Sequence, residues 1–207
     1  MSSLKALPIA YLPGASGNSQ VWRVISTYLA ARRPAVCVDY PGLGGVAAEP
    51  TLITLDDLSR YLLERLPPHF DVVSLSMGSS VALRFCLLAP ERVRRLVLIT
   101  PAGGVHAARF GAVDWRPAFR RRRPHAPSWF LDDDIDLSAQ LETVCAPCLI
   151  VAGENDLIAP VEQAAHLRDK LRARLEVVSG ATHDLDEEHP ELVASLIEAH
   201  LRGNSQA

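Results

Sequence analysis

Val72-Val73-Ser74-Leu75-Ser76-Met77-Gly78 decides the reading of this chain. An apolar run ends at Leu75, and a stretch with helical character, Ser79 to Leu88, follows almost at once. A serine caught between a strand and a helix sits on a strained turn. The residues two before and two after it must be small, and here they are Ser74 and Gly78. The free N–H groups and positive dipole end of the following helix point back at that serine. Ser76 is therefore the candidate nucleophile, and the backbone N–H of Met77 a candidate donor to a developing negative charge.

Outward from this turn the same alternation repeats. Short apolar runs stand at Ile9–Leu12, Ala35–Val38, Val72–Leu75, Leu96–Ile99, Leu149–Val151 and Leu175–Val178. Apolar residues on successive positions suit strands buried on both faces, as in a parallel sheet. Between the runs lie helical patterns: Val21, Trp22, Ile25 and Leu29; then Leu55, Leu58, Leu62 and Leu66. Thr54-Leu-Asp-Asp57 reads as a capping box. Pro160 and Pro190 are placed as first-turn prolines of helices running through Leu171 and Leu201. Five or six strand–helix units predict a doubly wound α/β sheet with helices on both faces. The pattern breaks once. From Gly103 to Thr143 there is no clean strand, and Trp115, Phe119, Trp129 and Phe130 accompany an arginine run. The expectation is one domain over residues 1–207, with 103–143 a lid-like insertion.

Composition narrows the function. The 207 residues are 48% apolar, which excludes intrinsic disorder, and 21 basic against 24 acidic residues do not suit a general nucleic-acid binder. No apolar run approaches the ~20 residues that span a bilayer. Met1 to Pro13 is too short for a signal peptide followed by mature protein, so a cytoplasmic chain is expected. Four cysteines make no disulfide scaffold. Cys37 and Cys86 read as core thiols. Cys145 and Cys148 form a C-x-x-C without a second ligand pair for zinc, standing just before an apolar run, and read as structural.

In open parallel sheets, ligands bind beyond the carboxyl ends of the strands. Among the loops found there, His183 after the last run is the candidate base for Ser76. Asp156 after the preceding run is the candidate partner that orients the imidazole. The rivals are weaker. Ser79 and Ser80 already lie in the helix, and His189 adjoins Pro190 at a helix start. Glu154 comes two residues too early, and Asp39 reads as a loop-organising hydrogen bonder. His69, His166 and His200 read as surface residues; His106 and His125 fall in the insertion. The glycine loops lack the lysine of a P-loop and do not continue as Gly-x-Gly-x-x-Gly, so nucleotide binding is not expected.

Taken together, six motifs in order make the chain resemble the α/β-hydrolase family across nearly its whole length. They are Leu12-Pro-Gly-Ala-Ser-Gly-Asn-Ser-Gln-Val-Trp22, Asp39-Tyr-Pro-Gly-Leu-Gly44, Ser74-Leu-Ser-Met-Gly78, Pro90-Glu-Arg-Val93, Gly153-Glu-Asn-Asp156 and Gly180-Ala-Thr-His183. The resemblance implies that the backbone N–H of Ala15 is the second oxyanion donor. It also implies that the chain starts at the family's third strand, leaving a six-stranded, all-parallel core. Two positions depart from the family pattern: Ser74 stands for a glycine and Pro13 for a histidine.

The expected activity is hydrolysis of a small-molecule carboxylic ester or related acyl bond, through Ser76, His183 and Asp156. Thioester, lactone or carbon–carbon bond hydrolysis would use the same parts, and no metal or organic cofactor is needed. Haloalkane and epoxide chemistry in the family uses an aspartate where Ser76 stands. Trp115, Trp129 and Phe130 are the candidate substrate-binding residues of the insertion. Arg120-Arg-Arg-Arg123 beside Asp132-Asp-Asp134 reads either as a self-compensating solvated surface or as an attractor for an anionic substrate. The alternative to an enzyme is a non-catalytic ligand-binding or interaction protein on a hydrolase shell.

Overall fold

A computed structural model describes residues 7–29 and 33–203. Residues 1–6, part of the opening stretch weighed above as a leader, lie outside it. Among the described residues six strands form one all-parallel sheet: β1 (Ile9–Leu12), β2 (Ala35–Cys37), β3 (Phe70–Leu75), β4 (Val93–Ile99), β5 (Cys148–Gly153) and β6 (Arg174–Val178). Their spatial order is β2-β1-β3-β4-β5-β6. The chain thus leaves β1 in one direction for β2, then returns across it to β3. The topological switch point lies between β1 and β3, and the crevice beyond their carboxyl ends is where such a sheet offers a binding site.

Side chains alternate between the two faces of the sheet, as strand geometry requires. Ile9, Tyr11, Val73, Leu75, Val97, Ile99, Leu149 and Val151 face α1 (Trp22–Tyr28) and α8 (Pro190–Arg202). Ala10, Leu12, Val72, Leu96, Leu98 and Ile150 face the other way, toward α2 (Leu55–Leu63), α3 (Gly78–Leu88) and α6 (Val161–Leu171). α2 forms because its leucines recur at helical spacing and its start is capped: Asp57 N–H donates to Thr54 Oγ1 at 3.0 Å, and the Asp57 carboxylate accepts from Thr54 Oγ1 and Ile53 N.

Three expectations fail at the margins of the sheet. Burial on both faces holds for the four inner strands, apart from Arg94 and Arg95 at the start of β4, but not for β2 and β6, which have a neighbour on one side only and are half exposed. Cys37, on edge strand β2, is consequently exposed and is no core thiol, whereas Cys86 is buried. Pro160 precedes the first turn of α6 as its N-cap, while Pro190 does open α8.

Between β4 and β5 the chain forms two short helices, α4 (Arg116–Arg122) and α5 (Ser128–Leu131), with 3-10 turns at Ala107–Phe110 and Leu141–Thr143. Phe130, Leu131, Leu137 and Leu141 of this insertion join the same buried cluster as α2 and α3. No helix among the described residues is long and apolar enough to cross a membrane.

Candidate active site

Ser76 follows β3 directly and adopts φ +50°, the left-handed region that is strained for a residue with a Cβ. The strain is held by neighbours: Ser76 N–H donates to Ile99 O at 2.8 Å, and its carbonyl accepts from Ser79 N at 2.9 Å. Gly78 is required by a close approach. A Cβ there would lie 2.5 Å from the Pro13 carbonyl oxygen, so any larger residue would force the β1 loop away from α3. Ser74 is fully buried under the turn, its Oγ 3.2 Å from both Ser79 Oγ and the Val97 carbonyl.

The turn brings together residues far apart in sequence. Ser76 Oγ lies 2.9 Å from His183 Nε2, and His183 Nδ1 lies 2.8 Å from Asp156 Oδ2. The buried Asp156 carboxylate accepts at Oδ1 from Ile158 N–H and Ala159 N–H, each at 2.8 Å, so Oδ2 is left for the imidazole. A carboxylate beside Nδ1 keeps the ring proton on that nitrogen. Nε2 is then the acceptor facing the serine hydroxyl.

The rival acid Glu154 does other work. Its carboxylate accepts from Ser179 Oγ and Gly180 N–H at 2.8 Å each, bracing the loop that carries His183 and settling the carboxyl below the usual range. Glu188 accepts from Thr182 N–H and Oγ1 on the far side of that loop, at 2.8 and 2.7 Å. Asp39 accepts from Ser19 N–H at 2.6 Å and organises a loop, as read from the sequence. His189 stands at the N-cap position of α8, with no side-chain capping bond. His200 is a correction: it is buried, with Nε2 3.1 Å from the Pro147 carbonyl, and burial lowers its pKa.

Across the switch point the loop after β1 faces Ser76. A Cβ on Gly14 would sit 3.3 Å from Ser76 Cβ. Among the described residues the N–H groups of Ala15 and Met77 have no protein acceptor and are available to a ligand. Where the family pattern has a histidine, the Pro13 carbonyl is instead held by the hydroxyl of fully buried Tyr40 at 3.0 Å, and Tyr40 N–H donates to Gly17 O at 2.9 Å. Sequence reasoning missed Tyr40, although its place beside Asp39 in the second glycine-rich turn was a usable signal.

A cavity of about 350 Å³ opens beside Met77, between the sheet edge and the insertion. Trp115 and Phe130 line it; Trp129 does not, but packs edge-on against Phe130 with centroids 6.2 Å apart. Its wall also holds Ser80 and Asp133. Both are bonded to Arg84, which is only 2% exposed: Nη1 donates to Ser80 Oγ at 2.6 Å, Nη2 to Asp133 at 2.7 Å and Nε to Asp56 at 2.6 Å. Burial raises the Asp133 carboxyl even against the pull of Arg84. Nothing in the local sequence announced this cluster, which joins α2, α3 and the insertion. In the arginine run, Arg120 pairs with Asp132, while Arg121, Arg122 and Arg123 are exposed. No group of three or more potential metal ligands occurs among the described residues.

Comparison with known proteins agrees with this architecture. A pimeloyl-[acyl-carrier protein] methyl ester esterase of Nitrosomonas europaea is 28% identical over 240 aligned positions, spanning 92% of this chain and 94% of that protein. A hydrolase from Pseudomonas aeruginosa PA01 has the same fold, with TM-score 0.79, 21% identity, and 98% and 92% of the two chains covered. So does Est816, described as an N-acyl homoserine lactone degrading enzyme, with TM-score 0.77, 21% identity, and 93% and 92% covered. The family model described as "Alpha/beta hydrolase family" matches residues 9–136, more than half of the sequence: the chain belongs to the alpha/beta hydrolase family.

Proposed function

We propose that this hydrolase cleaves carboxylic esters through an acyl-enzyme formed on Ser76. The observation that carries the proposal is the unbroken line from Ser76 Oγ to His183 Nε2 at 2.9 Å and from His183 Nδ1 to buried Asp156 at 2.8 Å. A serine hydroxyl is a poor nucleophile until a base accepts its proton. His183 takes that proton as Oγ attacks the ester carbonyl, and Asp156 stabilises the imidazolium that forms. The oxyanion of the tetrahedral intermediate is held by the N–H groups of Ala15 and Met77, each worth about 3 kcal/mol of barrier. His183 then protonates the departing alcohol. Water, deprotonated by the same imidazole, releases the acid and restores Ser76.

Residues 103–143 serve as the lid, and the cavity beneath them takes part of the ester. The Nitrosomonas relative's name supports a carboxylic ester. Exposed Arg121, Arg122 and Arg123 favour a substrate with an anionic portion.

A fluorophosphonate probe tests the proposal. Wild type is expected to be labelled and to hydrolyse p-nitrophenyl acetate, and Ser76→Ala is expected to lose both. A folded wild-type protein that takes no label is a binding protein on a hydrolase shell, and the proposal fails.

A further inference from the structure

The residue that follows β4 repeats the geometry of the residue that follows β3. Leu75 and Ile99 are register partners in adjacent strands, so Ser76 and Thr100 stand side by side at the sheet edge. Both are left-handed, Ser76 at φ +50° and Thr100 at φ +42°. For Ser76 the strain presents a hydroxyl to the site. Thr100 is β-branched, fully buried and followed by proline, and this conformation is costlier for it than for almost any other residue. Something must hold the kink.

The kink matters to Ser76. The chain leaving it, Pro101-Ala102, passes behind the serine, and Ala102 N–H donates to the Ser76 carbonyl at 3.3 Å. Pro101 is in turn held by Gln163, whose Nε2 donates to the Pro101 carbonyl at 2.8 Å. Gln163 is fully buried, and its Oε1 has no partner among the described residues, so packing alone does not account for an amide here. It occupies the third position of α6, from which a glutamine usually reaches back to the N–H of the capping residue. The cap of α6 is Pro160, which has no N–H. The Gln163 amide is therefore free to reach across to Pro101.

Asp156 lies just ahead of the same helix start, fixed by Ile158 and Ala159. The three side chains above the sheet edge are thus closed into a ring from below: Asp156, the start of α6, Gln163, Pro101, Ala102, Ser76. We infer that Gln163 is a positioning residue, which locks the Thr100–Pro101 kink and thereby sets Ser76 against the imidazole. The inference rests on the proposed role of Ser76.

The test is Gln163→Met, which keeps length and loses the donor. kcat and KM are measured on p-nitrophenyl acetate, with active sites counted by fluorophosphonate titration so that only folded molecules enter the rate. kcat is expected to fall about tenfold or more with KM within twofold of wild type. Thr100→Gly, added to Gln163→Met, removes the strain that the clamp opposes and is expected to return kcat to within about threefold of wild type. A wild-type kcat in Gln163→Met overturns the inference. So does a slow Gln163→Met that Thr100→Gly fails to rescue, because a merely structural role gains nothing from glycine. Should Gln163→Met not fold, Gln163→Asn is the second variant. Its amide stops one methylene short of Pro101, and a wild-type kcat there overturns the inference equally. A wild type that takes no fluorophosphonate defeats the proposed hydrolase reading instead, which separates the two failures.

Discussion

Ser76, Asp156 and His183 at the sheet edge are set by backbone geometry. They rest on a left-handed turn, a carboxylate fixed by two peptide N–H groups, and a histidine loop braced by Glu154 and Glu188. The insertion above them is held by apolar packing of Phe130, Leu131, Leu137 and Leu141 on the core and by the buried Arg84–Asp133 pair, whereas Arg109–Asp136 and Arg120–Asp132 are pairs within the insertion itself. A backbone bond from Val113 N to Leu157 O adds a link to the rest of the chain, and one from Leu137 N to Gly104 O closes the insertion on itself. Ser76, Asp156 and His183 on the one hand and the cavity wall beside Met77 on the other therefore answer to different perturbations: changes at the edge are expected to act on rate, whereas changes in apolar packing and in the buried Arg84 cluster act on the insertion.

The largest expected effects lie at the sheet edge. Ser76→Ala and Asp156→Asn should each lower kcat/KM for a p-nitrophenyl ester by on the order of 10³-fold or more, with little change in melting temperature. An Asp156→Asn protein within tenfold of wild type would show that the edge does not depend on a charged partner.

Next comes Arg84→Met. Removing the buried guanidinium leaves the largely buried Asp133 carboxylate without its partner, at a cost of about 3–5 kcal/mol in denaturant unfolding, while half-exposed Asp56 is solvated and adds little. The remaining folded molecules should still react with a small fluorophosphonate at close to the wild-type rate. A large loss of that reactivity would show that edge and insertion are one unit.

Asp186 sharpens the contrast from the other side. Burial lifts its carboxyl to about 6, with Glu187 and Asp184 adding to the rise and its own N–H and His183 opposing it. The folded pKa lies above the unfolded one, so stability falls as pH rises from about 4 to about 6 and stays reduced above. Asp186→Asn should therefore raise unfolding free energy at pH 7.5 by up to about 3 kcal/mol and have little effect at pH 4. Equal gains at both values would assign the effect to packing. The smallest effect belongs to exposed arginines. Neutral replacements at Arg120–Arg123 should raise KM for anionic esters by about threefold and leave neutral esters alone, an effect that salt should also erase.

Much of this was legible in the chain because the informative residues are local. Inner strands leave nearly unbroken apolar runs, and Ser76 and Asp156 follow two of them, while His183 follows the shorter apolar stretch of edge strand β6, each among small residues. What was not legible depends on neighbours distant in sequence. Cys37 looks apolar in context but lies on an edge strand, which local pattern cannot distinguish from a central one. Arg84 sits in Val-Ala-Leu-Arg-Phe like any helix-surface arginine, and the carboxylates that balance its buried charge, Asp56 and Asp133, lie 28 and 49 residues away. Trp115 and Trp129 are equivalent aromatics of the insertion in sequence, yet only the first reaches the cavity.

The all-parallel sheet has a consequence for how the molecule is made. No two neighbouring strands are joined by a hairpin, so every pairing must wait for a crossover segment to be laid down and returned. Such non-local closure is slow, and the central strands, among the most apolar in the chain, remain uncovered while it proceeds. Cooler, slower synthesis should raise the yield of soluble chain more than any change at Ser76, Asp156 or His183.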